Sequence, residues 1–201
     1  TTRETITIPQ SAIDGASELY VKVYPGILSE VMEGFESILR KPYGCFEQTS
    51  SATYPNVMVL QYLKSSAKST PALEQKAKAF IADGYQRLVA YEVTGGGFSL
   101  WGDPPANIVL SAFGLMEFTD MSKVHYVDKA LLARTQSWLV AQQGSDGSFS
   151  VPEKGFYEIP GNAAKGALRT TAYVTWALAK SGYKGPALNQ AVSYLRSQVQ
   201  G

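Results

Sequence analysis

The sequence predicts a mainly α-helical fold of paired helices, led by two short β-strands, on three observations. Apolar residues from Ile27 onward recur at three- and four-residue intervals. Two stretches, LVAYEVTGGGFS at 88–99 and LVAQQGSDGSFS at 139–150, align without gaps, each between helical segments. The first 25 residues instead alternate or cluster β-formers.

The strands come first. In ETITIPQ and ELYVKVYPG, β-branched and aromatic residues surround a Pro, Asp and Gly turn region, so residues 1–25 read as two strands. Two strands cannot bury a face of their own, and the rest of their β-domain is expected outside this segment. From Gly26 the period changes. Ile27, Leu28, Val31, Met32, Phe35, Ile38 and Leu39 line one helical face. Helical patterning continues over about 47–66, 71–92, 105–118, 124–143, 167–182 and 186–199, separated by Gly and Pro. The helices that follow the two glycine turns echo one another, VLSAFGLMEF against TTAYVTWALA, and a third copy opens at ALNQAVSYLRSQVQG. Helix pairs of this kind need neighbours on both flanks. They close into a ring of hairpins or stack as a solenoid, and residues 26–201 are expected to be a truncated piece of one.

Composition narrows the chemistry. Across 201 residues, 18 Lys and Arg stand against 17 Asp and Glu, which points to no nucleic-acid or acidic-lipid partner. No apolar run approaches the roughly 20 residues that a membrane span needs. The start, TTRETITIPQ, has neither Met nor a basic-then-apolar leader, and reads as that of a processed or excised piece. A single cysteine excludes an internal disulfide and a thiolate-rich zinc site. No metal or cofactor is expected, and cysteine usage does not report the redox compartment.

That cysteine lies in KPYGCFEQTSS, residues 41–51. A lone buried cysteine is ordinarily a small hydrophobe. Here Pro42 and Gly44 make a turn, and Glu47 with TSSATYPNVMVLQYL fits the first turn and body of a helix. A thiolate at a helix N-terminus gains from the dipole and the unpaired N–H groups. Gln48 stands three residues on. Attack of the Cys45 sulfur on its carboxamide, with loss of ammonia, gives an internal thioester, a stored acyl donor for an arriving amine or hydroxyl. By spacing alone, Cys-x-x-Gln is a weak signal.

The surrounding residues resemble a known family. PYGCFEQ is similar to the Pro-Tyr-Gly-Cys-Gly-Glu-Gln thioester motif of the α2-macroglobulin and complement C3/C4 superfamily, and PYGCFEQTSSATYPNV looks like its bacterial members. Pro42, Tyr43, Gly44, Cys45, Glu47 and Gln48 carry the match; Phe46 departs from the glycine of the animal motif. The resemblance covers essentially the whole chain. It implies an α/α toroid of helical hairpins at 26–201, inserted into a CUB-type β-sandwich to which the strands at 1–25 belong. It implies Cys45 and Gln48 as the two ends of a thioester, single-use acyl transfer rather than enzymatic turnover, and covalent capture of proteases or amine-bearing surfaces by a parent chain with further domains. Family membership points to a periplasmic, cell-envelope or secreted place.

One departure bears on selectivity. Complement proteins that favour hydroxyl targets carry a histidine in the loop after the second glycine turn, where this chain reads SVPEKGFYEIPGN. Tyr157 and Glu158 stand near that place, and the sole histidine, His125, lies upstream at an expected helix start with a surface or capping role. Direct attack by an amine is the expected route. Tyr157 is a candidate for shielding or orienting the bond, against plain packing; Glu158 is weaker, since loop carboxylates are common. Tyr43 and Phe46 are expected to keep water out, the alternative being that they pack against neighbouring helices.

Two other readings stand beside this one. The turn QQGSDGSF also resembles repeats of terpenoid cyclases, whose ring protein prenyltransferases share. However, the chain has no Asp-rich run for a diphosphate-bound magnesium, and a zinc site would need Cys45 and His125 to converge. The other is a helical-repeat interaction module in which Cys45 and Gln48 remain unlinked.

Overall fold

A computed structural model describes residues 34–66, 71–150 and 163–199, together with 3, 5–13, 15, 16, 18, 20 and 21. The chain divides into two compact units, Thr1–Gly34 and Phe35–Gly201. Among the described residues of the first 25, none is in a strand; the remainder of the expected strands lies outside the described residues.

The second unit is mainly helical. Among the described residues, 34–38 are helical and six longer helices follow in order: α1 (Phe46–Ser66), α2 (Pro71–Val89), α3 (Ile108–Met121), α4 (Lys129–Ala141), α5 (Ala163–Lys180) and α6 (Pro186–Val199). Pro71 and Pro186 open α2 and α6, where a missing N–H costs nothing. Asn107 caps α3 by accepting from the amides of Val109 and Leu110, and Asp128 caps α4 by accepting from that of Ala130. Consecutive helices pair as α1 with α2, α3 with α4, and α5 with α6, while α3 packs on both α1 and α5. The first helix of each hairpin therefore meets its counterpart in the next.

Apolar side chains line their shared surfaces. Ile108, Leu115 and Met116 of α3 pack with Val174, Ala177 and Leu178 of α5. Phe118 lies against Phe98 and Tyr85, with ring centres 5.5 and 6.0 Å away. One carboxylate ties the three first helices together. Asp120 of α3 accepts from the Tyr54 hydroxyl of α1 and pairs with Lys180 of α5 at 2.7 Å, and its backbone carbonyl takes the Gln61 side-chain amide at 2.7 Å.

The glycine-turn repeat is a repeat of bonds. Val93 donates to the carbonyl of Gly97 and Gly96 to that of Val93; in the second copy Gly144 donates to Ser148 and Gly147 to Gly144. Each turn then latches onto the helix that follows. The Phe98 amide donates to the Ser111 hydroxyl, and the Phe149 amide to the Thr171 hydroxyl, both at 2.8 Å. Ser111 and Thr171 pass their own protons to the carbonyls four residues back, Asn107 and Ala167. This equivalence shifts the VLSAFGLMEF and TTAYVTWALA echo by one residue, because the latch sets the register and the resemblance of apolar residues does not.

Candidate functional site at the Cys45 turn

The turn is built from both sides. Upstream, the buried Asn56 of α1 holds both backbone groups of Arg40, accepting from its N–H at 3.2 Å and donating to its carbonyl at 2.8 Å. Downstream, Phe46 donates its amide to the Leu100 carbonyl at 2.9 Å, which seats the start of α1 against the end of the first glycine turn. Between them Gly44 takes φ +74°, in the left-handed region that suits glycine. A Cβ there would lie 1.9 Å from Gln48 Oε1, so the side chain of Gln48 folds back over the turn.

Cys45 and Gln48 occupy complementary capping positions. The Cys45 carbonyl accepts from Thr49 at 2.9 Å, which makes Cys45 the residue that caps α1 and Gln48 the third helical residue. Gln48 Oε1 accepts the Cys45 N–H at 3.1 Å. This is the reach-back half of a capping box, with a thiol at the position where Ser or Thr usually sits. Cys45 is half-buried, whereas Glu47 and Gln48 are exposed.

The carbonyl of Gly44 carries a second layer. It accepts from the hydroxyl of Tyr91, and Thr49 Oγ1 lies 3.3 Å from it and 3.1 Å from the Tyr43 carbonyl. Neither Tyr91 nor Thr49 stood out among the sequence motifs. Tyr91 carries a signal all the same, because the aligned residue of the second repeat is Gln142.

Tyr43 and Phe46 differ in burial. Tyr43 is 62% exposed, whereas Phe46 is fully buried. Phe46 packs on Phe98 at 5.3 Å and edge-on to Tyr91 at 6.3 Å, and its ring abuts Gly114, where a Cβ would sit 3.0 Å from Cζ. Its place in the core follows from that fit. Tyr157 and Glu158 lie outside the described residues.

His125 is not at a helix start. It lies between α3 and α4, edge-on to Tyr85 at 5.4 Å, and partial burial lowers its basicity. Lys64, near the end of α1, reaches the Val124 carbonyl at 3.5 Å. His125 thus sits at the far end of α1 from Cys45, roughly 25–30 Å along a helix rising about 1.5 Å per residue. A zinc site joining the two is therefore geometrically ruled out. Among the described residues no group of three or more His, Cys, Asp and Glu is placed to hold a metal ion, and no helix is long and apolar enough to cross a membrane.

Residues 21–200 match the family model of the A-macroglobulin TED domain. The chain is also similar to thioester-containing protein 1 of Anopheles gambiae, in its alleles S3 and S1, at 26% identity over 199 residues. That alignment takes in 96% of this chain and 15% of each relative, so the chain spans about a seventh of their length. On a match that runs almost from end to end, the chain belongs to the A-macroglobulin TED domain family, within the superfamily of macroglobulins and complement.

Proposed function

We propose that Cys45 and Gln48 join as an internal thioester and that the chain captures proteases or other amine-bearing targets covalently, once per molecule, as part of a larger defence protein. In forming the bond, the Cys45 sulfur attacks Gln48 Cδ, the C–N bond breaks, and the amide nitrogen leaves as ammonia with the thiol proton. In capture, an amine attacks the same carbon, the C–S bond breaks, and the amine proton goes to the departing sulfur.

The observation that carries this reading is the Cys45 N–H on Gln48 Oε1 at 3.1 Å. Negative charge develops on that oxygen in both steps, and a donor already aimed at it is the electrostatic aid acyl transfer needs. The capping geometry also does the work of proximity, since it folds the carboxamide back toward the residue that bears the thiol. The thioester is in this sense a capping box closed by a covalent bond. The name of the mosquito relatives, thioester-containing protein 1, agrees with such a bond.

Amines are the favoured targets, because His125, the chain's only histidine, lies at the wrong end of α1 to relay the acyl group through imidazole. The resemblance also makes Tyr157 a candidate for shielding or orienting the bond, and Glu158 a weaker one. Residues 26–201 form part of an α/α toroid, residues 1–25 belong to a CUB-like β-domain, and the parent protein works in the cell envelope or outside the cell.

Intact-mass measurement of native, never-denatured protein tests the reading. The expected species is lighter by one ammonia and shows no titratable thiol until methylamine is added. Full mass with a free Cys45 thiol overturns it. That outcome favours the interaction-module reading, for which one observation also speaks: the Cys45 N–H reaches Gln48 Oε1 as an ordinary capping hydrogen bond.

A further inference from the structure

We propose that Tyr91 is a positioning residue for the acyl carbonyl of Gln48, acting through the peptide group between Gly44 and Cys45. The inference rests on the thioester reading and assigns a residue that the motif itself does not contain.

The peptide group in question is held at both ends. Its oxygen, the Gly44 carbonyl, accepts from the Tyr91 hydroxyl and faces the Thr49 hydroxyl at 3.3 Å. Its nitrogen, that of Cys45, donates to Gln48 Oε1 at 3.1 Å. Hydrogen bonds to an amide oxygen draw electron density from the nitrogen and make its N–H a stronger donor. Tyr91 therefore acts on Gln48 Oε1 without touching it. The same bond fixes the plane of the peptide, which decides whether the N–H points at the oxygen.

The repeat isolates Tyr91 as the variable part. Glu92 and Gln143 both tie their turns to the next hairpin, the first through both its oxygens to Arg134 and the second to the Ala187 carbonyl. Gly96 and Gly147 match in conformation, as Phe98 and Phe149 do in their latches. At the position between helix and turn, however, the second copy has Gln142, whose side chain only returns to its own helix at Trp138. The copy that faces the Cys45 turn has a tyrosine with a hydroxyl aimed at Gly44.

Tyr91→Phe tests this, because the ring and its edge contact with Phe46 remain. The readouts are the rate of thiol release by methylamine, the infrared carbonyl band of the thioester, and the melting temperature. The expected result is release slowed on the order of 3- to 10-fold, less than the loss of a direct oxyanion donor, a band moved to higher wavenumber, and an unchanged melting temperature. Thr49→Val is expected to move rate and band in the same direction. A wild-type thioester with Tyr91→Phe equal to it in rate and band overturns the role of Tyr91 alone. A wild-type protein of full mass with a free thiol removes the thioester reading and this one with it.

Discussion

Glu117 and Asp120 stand about one turn apart on α3, both buried, and only Asp120 has partners. Asp120 meets Tyr54, Lys123 and Lys180. Glu117 is fully buried with neither oxygen hydrogen-bonded, and it faces the Ser50 hydroxyl, which eases its ionisation but lies outside bonding geometry. Burial pushes Glu117 up to about 8. Burial also opposes the charge on Asp120, but the bonds from Lys123, Lys180 and Tyr54 override it and hold that carboxyl below the usual range.

The two residues set opposite flanks of a stability profile. Glu117, kept neutral by the fold, contributes fully below its unfolded value near 4.5 and loses that contribution as pH rises through about 8. Asp120 contributes above its unfolded value near 3.8 and loses that as pH falls through its lowered folded value. Melting temperature is thus expected to decline from pH 5 to pH 9, and Glu117→Gln to flatten that decline by a difference on the order of 5 °C. Parallel slopes for the two proteins would contradict the assignment. Asp120→Asn is expected to lower the melting temperature at pH 7 and to weaken the dependence below pH 4.

The hydroxyl latches predict a matched pair of defects. Ser111→Ala and Thr171→Val each leave a buried turn amide, Phe98 or Phe149, without its acceptor. Each is expected to cost about 1–3 kcal/mol in urea denaturation, the desolvation penalty of one orphaned donor. A loss confined to one copy would show that the repeat is geometric but not energetic.

Two glycines of similar backbone conformation predict different outcomes. Gly147 has φ +87°, and a Cβ there would lie 2.5 Å from the Gln190 carbonyl oxygen. Gly95 has φ +95° with nothing within 4 Å. Gly147→Ala is therefore expected to destabilise by about 3 kcal/mol or more, combining strain and a clash with backbone, while Gly95→Ala costs about 1 kcal/mol of strain alone. Equal midpoints in the same denaturation assay would argue against a close approach at α6.

Much of this fold is legible in the sequence, at the level of elements more than of their ends. The helical segments are found, but α2 stops at Val89 instead of 92, because Tyr91 and Val93 spend their backbone groups on the glycine turn. α3 was expected at 105–118 and runs from Ile108 to Met121. Its buried residues leave no polar stripe by which periodicity can place its ends, and Asn107 as the cap decides the start. At the site, the spacing of Cys45 and Gln48 is readable, as is the glycine between Tyr43 and the cysteine. Tyr91 meets Gly44 from 47 positions away, and Glu117 meets Ser50 across two helices, so neither contact has a local signature.

The two latches join residues of very different separation, 13 positions between Phe98 and Ser111 but 22 between Phe149 and Thr171. A single hydroxyl thus holds each turn to its helix whatever length of chain is threaded between them. Segments of different length can therefore be threaded between turn and helix while each turn stays fixed to the helix beneath it.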